Sequence, residues 1–140
     1  MSDTSDTKLD DFGKLVLRCL VGALLLVHGV VKIERGIEWM RGPLTAFHLP
    51  FFVAYGVYVG EVLAPVFLIL GYLTRPAAFV VMMDLVMAIV LVAHKKMSIV
   101  TQGGAYGLEA ELFFLFGGLV ILLLGPGRYG LTRSRRDGHV

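Results

Sequence analysis

Four ionisable residues interrupt otherwise apolar runs of this chain: Arg18, His28, Glu61 and Asp84. Glu61 makes the strongest demand for an explanation, because it lies near the middle of FFVAYGVYVGEVLAPVFLILGYL, residues 51–73. A helix needs about 20 residues at 1.5 Å each to cross a bilayer, which places this carboxylate near the midplane. A charge there costs roughly 2.5–3.5 kcal/mol on insertion scales, so an acid retained at that depth points to a working site. Pro65, four positions on, lacks the N–H that would bond the Glu61 carbonyl. Backbone acceptor and side-chain acid are thus freed together, which predicts a kinked polar pocket inside the membrane.

Two kinds of chemistry suit these residue types. Glu61 either carries a proton beside a quinone or other small redox ligand, or pairs with Arg18 or His28 to fix helix register. His28 can hydrogen-bond a ligand carbonyl, relay protons, or pack as a structural histidine. Arg18 and Asp84 both fall toward one end of their spans, where an ion pair or a proton path is expected of them. As a ligand-binding set the sequence offers Arg18, His28, Glu61 and Asp84, with Glu61 and His28 in the proton-handling roles. Lys32 is expected to snorkel to the surface. No metal site is expected: His28 and His94 have no metal-ligand spacing, no CxxCH segment exists, and haem is disfavoured. The absence of GxGxxG, Walker and nucleophile–base–acid patterns points away from a self-contained enzyme acting on a soluble substrate.

The elements that must position these side chains are apolar and helical. Of 140 residues 56% are hydrophobic and 17% charged, with a mean hydropathy of +0.77. The apolar residues are clustered in spans, which predicts an all-α integral membrane protein: a four-helix bundle of two hairpins spanning about 14–33, 51–73, 76–94 and 108–125. Residues 1–13 read as a disordered tail and 128–140 as a basic tail flanking the 14–127 membrane domain. On the first span Gly22, Gly29 and Lys32 fall within about 40° of Arg18 at 100° per residue, giving one face for the bundle and one for lipid. Residues 34–50 form an amphipathic connection, either an interfacial helix or a lid. GYLTRP at 71–76 forces a tight hairpin, and Glu109 and Glu111 open the last span, where acids meet the positive end of the helix dipole. His94, Lys95 and Lys96 close the third span. Four spans put both termini and Arg75 on one side, with eight of the thirteen Lys and Arg, which favours cytoplasmic termini in a bacterial-type inner membrane. The basic residues gather at span ends, as membrane orientation requires, and no nucleic-acid partner is expected. The single cysteine, Cys19, excludes an internal disulfide.

Together these pieces resemble the DoxX family of small membrane proteins. The resemblance runs from about Lys14 to Leu131. It rests on R-x9-H-G-x2-K at Arg18, His28, Gly29 and Lys32, and on the G-E step at Gly60 and Glu61. It continues through G-x-L-T-R at Gly71, Leu73, Thr74 and Arg75, a Gly-Gly loop at Gly103 and Gly104 leading to an acid, and GPGR-x-x-L from Gly125 to Leu131. The chain departs from the family's Ser-Leu-Asp after GPGR, carrying Gly130, Leu131 and Thr132, and either Glu109 or Glu111 can be the acid after the loop. The resemblance implies a four-helix bundle, in some members a subunit of quinone-reducing or terminal-oxidase complexes acting on sulfur compounds, in others linked to oxidative-stress defence.

The resulting expectation is a non-autonomous membrane subunit that binds a lipid-soluble carrier, quinone first among them, near Glu61. It would take electrons through a soluble or membrane redox partner protein and could form homo-oligomers. The alternatives are a membrane anchor or assembly scaffold with no chemistry of its own, and a small-solute or proton transporter.

Overall fold

A computed structural model describes residues 3–91, 100 and 107–131. The described elements are helical. Helix α1 covers Asp3–Arg35, α2 Arg41–Ala46, α3 Phe51–Leu70, α4 Thr74–Leu91 and α5 Glu109–Leu124. Three of them, α1, α3 and α4, are long and apolar enough to cross a membrane. α5 is apolar throughout but has 16 residues, about 24 Å at helical rise, and completes the bundle by packing along α4 and α1. The helices close a ring in the order α1, α3, α4, α5.

Small residues set the spacing. A methyl at Gly22 would sit 2.8 Å from Ile69 Cγ1 and 2.9 Å from the Pro65 carbonyl, and one at Gly29 would strike the Glu61 carbonyl and Val62. α1 and α3 therefore touch backbone to backbone, as small-residue seams permit in membranes. Val16, Leu20, Leu24 and Val27 remain exposed on the opposite side of α1, the split its sequence predicts. Two apolar clusters fill the interior. One joins Val21, Leu25, Leu68, Ala78, Val81 and Ile121. The other gathers Met40, Leu44, Ala54, Val57 and Leu91 beneath the connection.

That connection is a short helical segment. A 3-10 turn at Glu38–Met40 leads into α2, with Met40 and Leu44 buried and Trp39 and Phe47 exposed. Arg41 pairs with Glu38, and this hydrogen bond holds the Glu38 carboxylate below its ordinary pKa of 4.5. The Arg41 guanidinium also lies 4.2 Å from the centroid of the Phe51 ring, a cation–π contact that ties the connection to the start of α3.

Two expectations about boundaries require correction. The N-terminal segment is not a loose tail in its described part: α1 begins at Asp3 and runs for 33 residues, about 50 Å, which exceeds a hydrocarbon core of about 30 Å. Local ionic contacts explain why a polar segment stays helical. Lys14 Nζ pairs with Asp10 at 2.6 Å one turn away, acids favour a helix N-terminus, and Asp11 accepts the Arg128 N–H at 3.1 Å. The hairpin turn is also tighter than GYLTRP suggests. α3 stops at Leu70 and α4 starts at Thr74, with Gly71 in the left-handed region at φ 68° and Leu73 at φ 46°. The residues placed at the end of the third span and in its linker, His94, Lys95, Lys96, Gly103 and Gly104, lie outside the described residues.

Candidate intramembrane carboxylate site

The site begins with an irregular turn. α3 enters as a 3-10 turn at Phe51–Tyr55, becomes α-helical at Gly56–Tyr58, and widens to a π-helix over Val59–Leu63 before Ala64–Leu70 resumes the α form. Pro65 accounts for the widening: it cannot donate to the Glu61 carbonyl, and its ring presses on that turn. The Ala64 N–H instead reaches the Val59 carbonyl five residues back. π-turns of this kind recur at functional sites. Here the widened turn carries Glu61 into the bundle and lays its carbonyl against Gly29 of α1.

Glu61 is 4% exposed. Its Oε1 accepts from the Lys32 ammonium, while Oε2 is buried with no hydrogen-bond partner among the described residues. Lys32 therefore pairs inward, and the expected surface snorkelling is corrected. Its side chain retains about a quarter of its exposure, so it reaches the carboxylate from the rim. Asp84 approaches from α4. A Cβ on Gly60 would collide with the Asp84 side chain and sit 2.9 Å from its Oδ1, so only glycine allows α3 this close. Asp84 lies within electrostatic reach of both Glu61 and Lys32.

These groups form one wall of an open-sided cavity of about 1030 Å³ lined by residues of all four bundle helices and the connection. Leu25, Met40, Val57, Leu85 and Phe114 supply apolar lining, and Glu109 and Glu111 of α5 reach it as well. The cavity lies where the two apolar clusters meet. His28 stands at the mouth, exposed, between this cavity and a smaller one of about 480 Å³ beside Val31 and Arg35. Its Nδ1 lies 2.8 Å from the Leu24 carbonyl, and its ring meets Phe114 edge-on at 5.7 Å. A carbonyl can only accept, so Nδ1 carries a proton, and in the neutral imidazole Nε2 is then an acceptor.

Arg18 is not part of this wall. It is 14 residues from Lys32 along α1, about 21 Å at helical rise, and is 1% exposed at the opposite end of the bundle. Its Nη1 donates to the Leu68 and Ile69 carbonyls at 3.0 and 2.9 Å, and Nη2 to the Tyr129 carbonyl at 2.7 Å. It thus caps the C-terminus of α3 and ties down the chain after α5. The expected Arg18–Asp84 ion pair is replaced by these backbone contacts. Arg75 makes a similar contact on α5, 3.4 Å from the Leu123 carbonyl. Of the four sequence candidates, the structure brings Glu61, Asp84 and His28 to one cavity and places Arg18 elsewhere. Among the described residues no group of three or more His, Cys, Asp or Glu could hold a metal ion.

A helical bundle with membrane-length spans and a paired carboxylate at its interior defines a small integral membrane protein with a polar intramembrane pocket. The comparisons narrow the class. The DoxX family profile matches residues 13–94, and the chain belongs to the DoxX family. It is 30% identical over 131 residues to the uncharacterized membrane protein Rv3486 of Mycobacterium tuberculosis, covering 85% of this chain and 78% of the relative. No solved structure matches.

Proposed function

We propose that this DoxX-family protein is a non-autonomous membrane subunit whose bundle holds a lipid-soluble carrier of the quinone class, with its head group against Glu61 and Lys32. The observation that carries this reading is Glu61, buried and with its Oε2 unpartnered among the described residues, in the wall of a mostly apolar cavity that Lys32, Asp84 and His28 also line. A buried polar atom without a partner is costly, and a ligand is one way to satisfy it. The volume of about 1030 Å³ suits an aromatic head group and the first part of an isoprenoid tail. The chain's residues would divide the work. Lys32 donates to a ligand oxygen through the ammonium protons that Glu61 leaves free, Glu61 holds or releases a proton at Oε2, and His28 offers Nε2 at the mouth. The carrier supplies the electron chemistry and a partner protein exchanges the electrons. The same reading places the protein in a bacterial-type inner membrane with both termini cytoplasmic, in line with the bias of Lys and Arg toward that side.

The test is solvent extraction of protein purified in native-lipid nanodiscs, wild type against Glu61→Gln at equal folded yield. Near-stoichiometric quinone in the wild type, depleted in the variant, is the expected result. Equal trace amounts in both would overturn the reading and favour a scaffold whose polar residues fix helix register.

A further inference from the structure

The smaller cavity, of about 480 Å³, runs along α1 and is lined by Val27, His28, Val31, Lys32, Arg35 and Trp39. Residues 27, 31 and 35 recur at four-residue steps with 28 and 32 beside them, so they form one stripe about 12 Å long. Gly36, at φ 75°, ends the helix, and the returning chain sets Trp39 against that stripe. The stripe is graded in polarity. Val27 and Val31, both exposed, lie toward its inner end, and exposed Arg35 and Trp39 lie at its outer end. Among the described residues no carboxylate lines it. Glu38 is held by Arg41, Glu61 Oε1 is held by Lys32, and Glu34 points about 100° around the helix from Arg35. Arg35 forms no ion pair among the described residues.

We infer that this cleft binds an anionic phospholipid, its phosphodiester between Arg35 and Trp39 and one acyl chain along Val31 and Val27. The inference goes beyond the carrier reading and does not depend on it. The Arg35 guanidinium offers a planar fork of donors that matches phosphate oxygens. The Trp39 indole N–H can only donate, and tryptophan favours the depth at which head groups lie. The carbonyls that end α1 favour a cation in its last turn, yet they leave a full positive charge for an anion to meet. Because Glu61 balances Lys32, Arg35 supplies the net charge of the cleft. Charge and shape together select the occupant. Free phosphate would match Arg35 but leave the valines uncovered, and a zwitterionic lipid would cover the valines but bring its own ammonium toward Arg35. One cation near the membrane surface favours an anionic lipid by about fivefold.

Trp39 is the chain's single tryptophan, so its fluorescence reports what occupies the cleft. The full chain is reconstituted in phosphatidylcholine vesicles that contain increasing fractions of phosphatidylglycerol brominated on its acyl chains, and in a parallel series with brominated phosphatidylcholine. Bromine quenches indole only at close range. At equal mole fraction, phosphatidylglycerol should quench as though enriched about fivefold at Trp39, and the enrichment should fall as salt is raised. In Arg35→Gln, a change at an exposed position, the enrichment should drop to parity while quenching by phosphatidylcholine stays the same. In Arg75→Gln, which removes a charge at the other end of the bundle, the enrichment should persist. Equal quenching by the two lipids in the wild type would show lipid acting as solvent and overturn the inference, and so would an enrichment that survives Arg35→Gln. The wild-type comparison stands even if a variant fails to fold.

Discussion

The Lys32–Glu61 pair predicts a definite non-additivity. Removing Lys32 as Lys32→Met leaves an acid that is 4% exposed with neither oxygen paired, and breaking a buried pair from one side costs about 3–5 kcal/mol. Glu61→Gln should cost less, about 1–2 kcal/mol, because the amide oxygen still accepts and the Lys32 stem can carry its ammonium outward. That outward route exists because a quarter of the lysine side chain is already exposed. In the double variant neither charge is left behind, and its cost should stay near that of Glu61→Gln alone. The coupling therefore equals the cost of Lys32→Met alone, about 3–5 kcal/mol, well above the roughly 0.3–0.5 kcal/mol expected of independent sites. Equilibrium unfolding of the four proteins in mixed micelles by graded SDS measures it. Additive costs within 0.5 kcal/mol would refute the pairing, since residues without direct interaction sum in that way.

Other substitutions separate architecture from site. Gly29→Ala gains about 1 kcal/mol of helix propensity, but its methyl would lie 2.7 Å from Val62 Cγ2 and press on the Glu61 carbonyl. Overpacking of that kind costs about 1–3 kcal/mol; a lower melting temperature, with reduced ligand content because the Lys32 turn is displaced, is expected by differential scanning fluorimetry and extraction. Arg18→Met should cost about 3–5 kcal/mol by orphaning buried carbonyls of a charge-assisted network, yet leave ligand per folded molecule unchanged, since Arg18 is remote from the cavity. Gly71→Ala should lower SDS resistance by about 2 kcal/mol or more, because φ 68° disfavours an L side chain and the added methyl meets the Arg18 guanidinium.

The sequence revealed the architecture through features that act locally. Runs of about 20 apolar residues, the Gly71 turn and the one-sided sector of α1 each follow from backbone satisfaction and helix geometry. Glu61 was legible as a site because an acid beside Pro65 conflicts with a plain spanning helix, and the π-turn is the resolution of that conflict. Its partner was harder to read. Lys32 shared the Arg18 sector, a usable signal, but the depth to which its flexible stem reaches is decided by tertiary packing at Gly29. Asp84 shows the same limit: that it meets Gly60 rather than Arg18 depends on the α3–α4 register. Arg18 looked like a ligand group because a buried guanidinium requires partners, and no sequence pattern says that carbonyls at a helix end will provide them. The helical continuation to Asp3 was obscured by composition, since the Asp10–Lys14 and Asp11–Arg128 contacts depend on spacing and docking.

Trp39, the chain's single tryptophan, lines the cavity, and its fluorescence reads the central claim directly. Titrating nanodisc-embedded protein with a decyl-substituted benzoquinone should give saturable quenching at fixed lipid, with the dissociation constant raised about tenfold or more in Glu61→Gln. Quenching that rises linearly without saturation, and equally in both proteins, would report quinone dissolved in lipid and contradict a carrier site at Glu61.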